Sequence, residues 1–294
     1  MTAPIRHDYL HADHDRNAAR TRWVVALTAA MMVAEIVAGY ATGSMALLAD
    51  GFHMATHAGA LGVAAIAYGY ARRHCDDPRY SFGTGKVGDL AGFASALVLA
   101  LFSIGIAAES VKRLFAPEVV DFGDATLVAV IGLAVNLVSA LLLFDKHHHG
   151  PGGHDHDHHH HHHDNNLRAA YLHVLADALT SVLAIAALVA GRYLGWVWLD
   201  PVIGIVGAAV IAKWSWGLMK DTAGTLLDRT DMETADKVRA LVAPEARIVD
   251  LHVWRLGPGA LAVIVDGAEA AKVERVRERL RGLKNVVHLT VQGP

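Results

Sequence analysis

The stretch MALLADGFHMATHAGALGVAAIAYGY, residues 45–70, decides the fold. Asp50, His53 and His57 are its only charged or imidazole side chains. As a helix rising 1.5 Å per residue it is long enough to cross a hydrocarbon core roughly 30 Å thick. Thr42-Gly43-Ser44, just before it, makes a very tight turnaround, so this span and the apolar run at 23–41 form a hairpin. Four further apolar runs follow at 87–110, 126–144, 167–189 and 202–218. The expected fold is therefore a mainly α membrane protein with six transmembrane helices.

Composition agrees only through its distribution. The chain is 53% hydrophobic and 19% charged, values that a soluble domain can match. The charges, however, gather at both ends and in short loops, leaving uninterrupted apolar runs. A net charge of −3 gives no electrostatic sign of a nucleic-acid partner, and none is expected. The single cysteine, Cys75, excludes an intrachain disulfide and zinc sites built from several thiolates. No small-residue cleavage site follows a short apolar core, so the first span is expected to be retained.

Lys and Arg set the orientation. With the N-terminus inside, the inner segments hold Arg72, Arg73, Arg79, Lys86, Lys146 and Arg168 as well as the arginines of the N-terminal tail. The outer loops hold only Lys112, Arg113 and Arg192. Both termini are thus expected in the cytoplasm.

Twenty histidines are far more than a chain of 294 residues ordinarily carries. Eleven fall in residues 147–164, HHHGPGGHDHDHHHHHHD, a segment with almost nothing apolar to bury. It is expected to be a disordered cytoplasmic loop with weak metal affinity, His154, His156 and His158 among its ligands. Residues 1–22 repeat the theme as a His/Asp-rich tail, with His7, His11 and His14 between acidic residues. The domain division expected is a tail at 1–22, a membrane domain at 23–220 and a soluble domain at 221–294. In that last domain a helix at 234–242, strands at 248–256 and 260–266 about Gly257-Pro258-Gly259, a helix at 269–283 and a strand at 286–291 give an α-β-β-α-β, ferredoxin-like order.

An ionisable side chain inside a bilayer is costly, so each one in a span is a functional candidate. His53 and His57 are spaced i, i+4, as are His173 and Asp177 in the fifth span, so each pair shares one helix face. Two such helices facing each other supply three imidazoles and one carboxylate, a tetrahedral set for Zn²⁺, and acceptable to Co²⁺ or Ni²⁺. Polar bonding between helices accounts for one isolated histidine but poorly for two matched pairs. A zincin-type protease needs Glu directly after the first histidine, and Met54 stands there. No enzyme chemistry is expected. Glu35 and Asp50 are read as groups that relay protons or stabilise an approaching cation, or else as helix-bonding groups.

GSMALLADGFHMATHAGAL, the loop YSFGTGK, YLHVLADALTSV, Asp200-Pro201 and LHVWRLGPG together resemble the cation diffusion facilitator family over nearly the whole chain, and the stretch from Trp23 to Leu61 resembles its cobalt- and nickel-exporting branch. The resemblance implies a homodimeric efflux transporter of a bacterial cytoplasmic (inner) membrane, exchanging a divalent metal ion for protons. Its transport site would be His53, His57, His173 and Asp177. His57 stands where the family's commoner pattern has Asp, which enriches the site in nitrogen. Tyr80 and Thr84 replace accessory histidines, and in the tail only His252 and His288 remain as accessory ligands. The alternative function is a membrane metal sensor or store that binds ions without moving them.

Overall fold

The structure, a computed structural model, describes residues 13–75, 77–144, 161–267 and 272–293. The side chains of 13–25, 57, 58, 60, 61, 140, 142–144 and 161–176 are not among those described. The histidine candidates at 154, 156 and 158, and the expected disordered loop up to residue 160, lie outside the described residues, as do residues 1–12. Residues 161–164 of that loop are helical.

Six long helices come first: α1 (Asp13–Thr42), α2 (Met45–Arg73), α3 (Val87–Phe115), α4 (Phe122–Phe144), α5 (His161–Leu194) and α6 (Leu199–Leu226). Among the described residues four stretches are long and apolar enough to cross a membrane, Val87–Phe115, Phe122–Ser139, Asp177–Leu194 and Leu199–Leu226. The apolar part of α1, Ala26–Thr42, is shorter. Only 17% of the α3 window is buried, so most of its apolar surface faces outward, as a lipid-facing helix requires.

Contacts divide the chain into two units, one made of residues 1–58 and 99–212, the other of 59–98 and 213–294. In the first unit, apolar clusters form around Met45, Leu48, Ala49, Phe52, Ile106 and Ile211, and around Leu47, Ala125, Ala129 and Leu188. Small residues let the helices approach closely. A Cβ added at Gly207 of α6 would fall 2.6 Å from the Ala49 Cβ of α2.

The start of α2 shows how this unit handles polar backbone. Gly43 holds φ +73°, a conformation glycine adopts without penalty, and turns the chain out of α1. The first four N–H groups of a helix lack partners within it. Here Met45 N donates to Asp200 Oδ2 at 2.8 Å, Ala46 N to Asp200 Oδ1 at 3.2 Å, Leu47 N to Ser44 Oγ at 3.1 Å and Leu48 N to Ser44 O at 3.2 Å. Ser44 Oγ itself donates to Asp200 Oδ1 at 2.6 Å. A carboxylate on α6 thus caps α2, where the helix dipole favours negative charge.

In the second unit, α7 (Met232–Val242), β1 (Asp250–Gly257), β2 (Ala260–Asp266), α8 (Val273–Arg281) and β3 (Val286–Gln292) follow in the expected α-β-β-α-β order. The sheet order is β1-β2-β3, with β1 antiparallel and β3 parallel to β2. Ala235, Val238 and Val242 of α7 and Val276 and Leu280 of α8 pack on Val253, Val263, Val265 and Val291 of the sheet. Asp231 caps α7 by accepting from Thr234 N at 3.0 Å, and that bond holds its carboxyl below the usual carboxylate range.

The loop between α2 and α3 belongs to this unit and lies on the sheet. The Phe82 ring packs edge-on against Trp254 and His288, with centroids 5.9 and 5.5 Å apart. A Cβ at Gly257 would fall 2.9 Å from Gly85 Cα, so both positions need glycine for the crossing. Thr84 Oγ1 donates to Ala71 O at 2.7 Å, and Lys86 pairs with Asp228.

Candidate metal site

α2 and α5 bring one member of each spaced pair together. The His53 Nε2–H donates to Asp177 Oδ1 at 2.8 Å, with the His53 side chain 7% and the Asp177 side chain 26% exposed. These are atoms that would each donate a lone pair to a metal ion. In this arrangement a proton occupies the line between them. Metal binding requires the imidazole nitrogen to be deprotonated, so an ion and that proton compete for the same place.

A second rung lies beside the first. Ser181 Oγ of α5 donates to Asp50 Oδ2 of α2 at 2.8 Å. Asp50 stands three residues before His53, and Ser181 four after Asp177, so both rungs join the same two helix faces. Ser181 is not among the residues that the sequence singles out, but its i+4 spacing from Asp177 marks it as sharing that face. Each site residue also has its backbone carbonyl bonded by the threonine three positions on: Thr56 Oγ1 donates to His53 O at 2.6 Å and Thr180 Oγ1 to Asp177 O at 2.8 Å. Such bonds draw on the helical carbonyls and soften the helix locally.

Asp50 and His53 line a cavity of about 20 Å³ between α2, α5 and α6, walled elsewhere by aliphatic residues such as Leu183, Ile203 and Val206. That volume admits a water molecule. Asn136 of α4 donates to Met54 Sδ at 3.3 Å and ties a further helix to α2.

The other expected ligands are distributed as follows. His57 lies in α2 and His173 in α5, and their side chains are outside the described ones. Among the described residues no three His, Cys, Asp or Glu side chains gather in a way that would hold a metal ion. In the tail, His252 Nε2 bonds Asp250 Oδ2 at 2.8 Å, while His288 meets Thr290 at 3.4 Å and the Phe82 edge. They lie on β1 and β3 with β2 between and are offset by two residues along the strands, about 12 Å apart at the usual strand spacing and rise. Cys75 is exposed, with Sγ bonding Arg72 O at 3.3 Å.

A bundle of long apolar helices with an imidazole and a carboxylate meeting inside it defines the class, a polytopic membrane protein with an ionisable pair within its helices. Residues 22–227 match the cation efflux transmembrane domain, from the first apolar run to the end of α6. The chain belongs to this family, the cation diffusion facilitators. It is similar to the zinc transporter ZitB of Pectobacterium atrosepticum, 34% identical over 98% of this chain and 88% of that one. Similarity to the zinc transporter ZitB of Escherichia coli is 33% over 97% of this chain and 90% of that one. The cadmium, cobalt and zinc/H(+)-K(+) antiporter of Bacillus subtilis is 29% identical over 95% of this chain and 91% of that one.

Proposed function

We propose that this protein exports divalent transition-metal ions across a bacterial inner membrane in exchange for protons. The observation that carries the reading is the 2.8 Å contact between His53 Nε2 and Asp177 Oδ1. His57 and His173, one turn away on the same two helices, complete a four-ligand transport site. Six spans, cytoplasmic termini, a ferredoxin-like tail and a homodimer are parts of the same reading.

Zn²⁺, Co²⁺ and Cd²⁺ are named for relatives, and three imidazoles with one carboxylate suit late first-row ions including Ni²⁺. Such a set argues against Mg²⁺ and Mn²⁺, which prefer oxygen. On the cytoplasmic side the ion displaces the proton between His53 and Asp177. On the opposite face a proton retakes that place and the ion leaves. Rocking of the site helices against the rest of the bundle alternates access.

Flux in sealed vesicles tests this and separates a transporter from a store. Asp177→Ala leaves a divalent ion with neutral imidazoles alone in a poorly solvating setting. Metal affinity should fall more than tenfold, beyond ~1.4 kcal/mol, and flux with it. His57→Asp keeps four ligands, so flux should survive with selectivity moved toward Zn²⁺ or Cd²⁺. Normal flux from Asp177→Ala, His53→Ala or His173→Ala would place the transport site elsewhere.

A further inference from the structure

Glu35 of α1 is fully buried, and neither of its carboxyl oxygens has a hydrogen-bond partner among the described residues. The two other buried carboxylates among the described residues of this unit differ, since Asp50 accepts from Ser181 and Asp200 from Ser44, Met45 and Ala46. Room for the Glu35 side chain is made by glycines on two neighbouring helices. A Cβ at Gly132 of α4 would collide with Glu35 Oε1, and one at Gly51 of α2 would fall 3.1 Å from Glu35 Cβ. Met31, also buried, closes the same seat beside Gly132.

An acid that served only to join helices would have an acceptor or donor across the interface, because an unpaired buried polar group costs about 1–3 kcal/mol. Leucine or methionine would fill the space without that cost. An ionised, unpartnered carboxylate in such a place costs several kcal/mol more, so the acid form is the one this setting accepts. The groups facing it point the same way. α2 carries Asp50 next to Gly51, its carboxyl accepting from Ser181 of α5, with His53 one turn further on. On α4 the titratable residue is Asp124, eight residues from Gly132 and about 12 Å along the axis. Residues 26–42 of α1 contain no other Asp, Glu, Lys, Arg or His. Among the described residues of α1, α2 and α4 that face it, no Lys or Arg is therefore at hand to stabilise the ionised form.

We propose that Glu35 carries a proton through the transport cycle, apart from the four ligand positions, and that the arrangement seen is its proton-loaded state sealed between α1, α2 and α4. The proposal rests on the antiport reading. When the bundle rearranges and water reaches the seat, the carboxylic acid releases H⁺ and becomes a carboxylate, and it regains H⁺ before the seat closes again.

The test counts protons moved per Zn²⁺ by the full-length protein in proteoliposomes, with a trapped pH dye and a zinc indicator. Glu35→Gln keeps the shape of the side chain and removes the exchangeable proton. It should lower the count by one proton per ion and flatten the dependence of flux on an imposed pH gradient. Zn²⁺ binding in detergent should stay within about twofold of wild type. Glu35→Asp keeps a carboxyl, so it should keep the count while moving the pH midpoint of flux. An unchanged count in Glu35→Gln overturns the proposal. If Glu35→Gln does not fold, Glu35→Asp decides, and an unmoved pH midpoint overturns it. No proton movement by the wild type would defeat the antiport reading itself, and the proposal with it.

Discussion

In the helical unit the fully buried side chains include Glu35, Ser44 and Asp200 next to Met45, Leu47 and Leu188, and Asp50, His53 and Ser181 are buried almost as deeply. In the tail, residues 228–293, every buried side chain described is apolar, chiefly valine and leucine from α7, α8 and the sheet. The two regions face different alternatives to folding. Tail residues gain by leaving water, at about 25 cal/mol per Å² of apolar surface. Helices in lipid gain nothing of that kind from each other, so close-packed small residues and polar bonds hold them together. Buried polarity in the helical unit is thus partly adhesive. Its ionisable members, His53 bonded to Asp177 and Glu35 with no hydrogen-bond partner among the described residues, are the candidates for function.

Breaking each region should therefore cost stability by a different route. The largest loss is expected from Asp200→Ala. It strips the acceptors from Met45 N, Ala46 N and Ser44 Oγ at a buried helix start, at ~1 kcal/mol or more each. Thermal unfolding in detergent should move to markedly lower temperature, and Asp200→Asn, which keeps one acceptor oxygen, should fall between. An Asp200→Ala protein as stable as wild type would mean that the cap adds nothing.

Leu280→Ala should cost ~2–4 kcal/mol through a cavity between α8 and the sheet. Zn²⁺ binding that depends on Asp177 should be unaffected in the folded fraction. If binding weakens in proportion, the tail core is coupled to the membrane site and the two regions are not separable.

Asp231→Ala should have the smallest effect, ~1 kcal/mol, the usual worth of an N-cap. Because the folded pKa of Asp231 is depressed, its contribution is present above the unfolded carboxylate value of about 3.9 and is lost as pH falls through the lower folded value. The gap between wild type and variant should accordingly be full near neutrality and close in acid. A gap that persists in acid would show that the cap acts through shape alone.

Much of the architecture was legible in the order of residues. The apolar runs, the turn at Gly43 and the β1–β2 hairpin about Gly257-Pro258-Gly259 are local signals. The helices extend beyond the apolar runs: α3 continues past Ser110 to Phe115, where Glu109 pairs with Lys112 and Arg113. Hydropathy ends with the hydrocarbon layer, whereas backbone hydrogen bonding continues into water when charged neighbours pair along the helix. The matched pairs of α2 and α5 were legible because i, i+4 spacing fixes a shared face.

The sequence by itself determined which residues are polar within apolar spans and which of them share a helix face, because helical periodicity is a property of neighbours along the chain. Only the tertiary structure decided the partners: His53 with Asp177 across 124 positions, Asp50 with Ser181 across 131, Ser44 with Asp200 across 156, and none among the described residues for Glu35. Those pairings depend on how each helix is rotated and which helix lies beside it. Packing of glycines and alanines at the contacts sets both, and no local pattern encodes them.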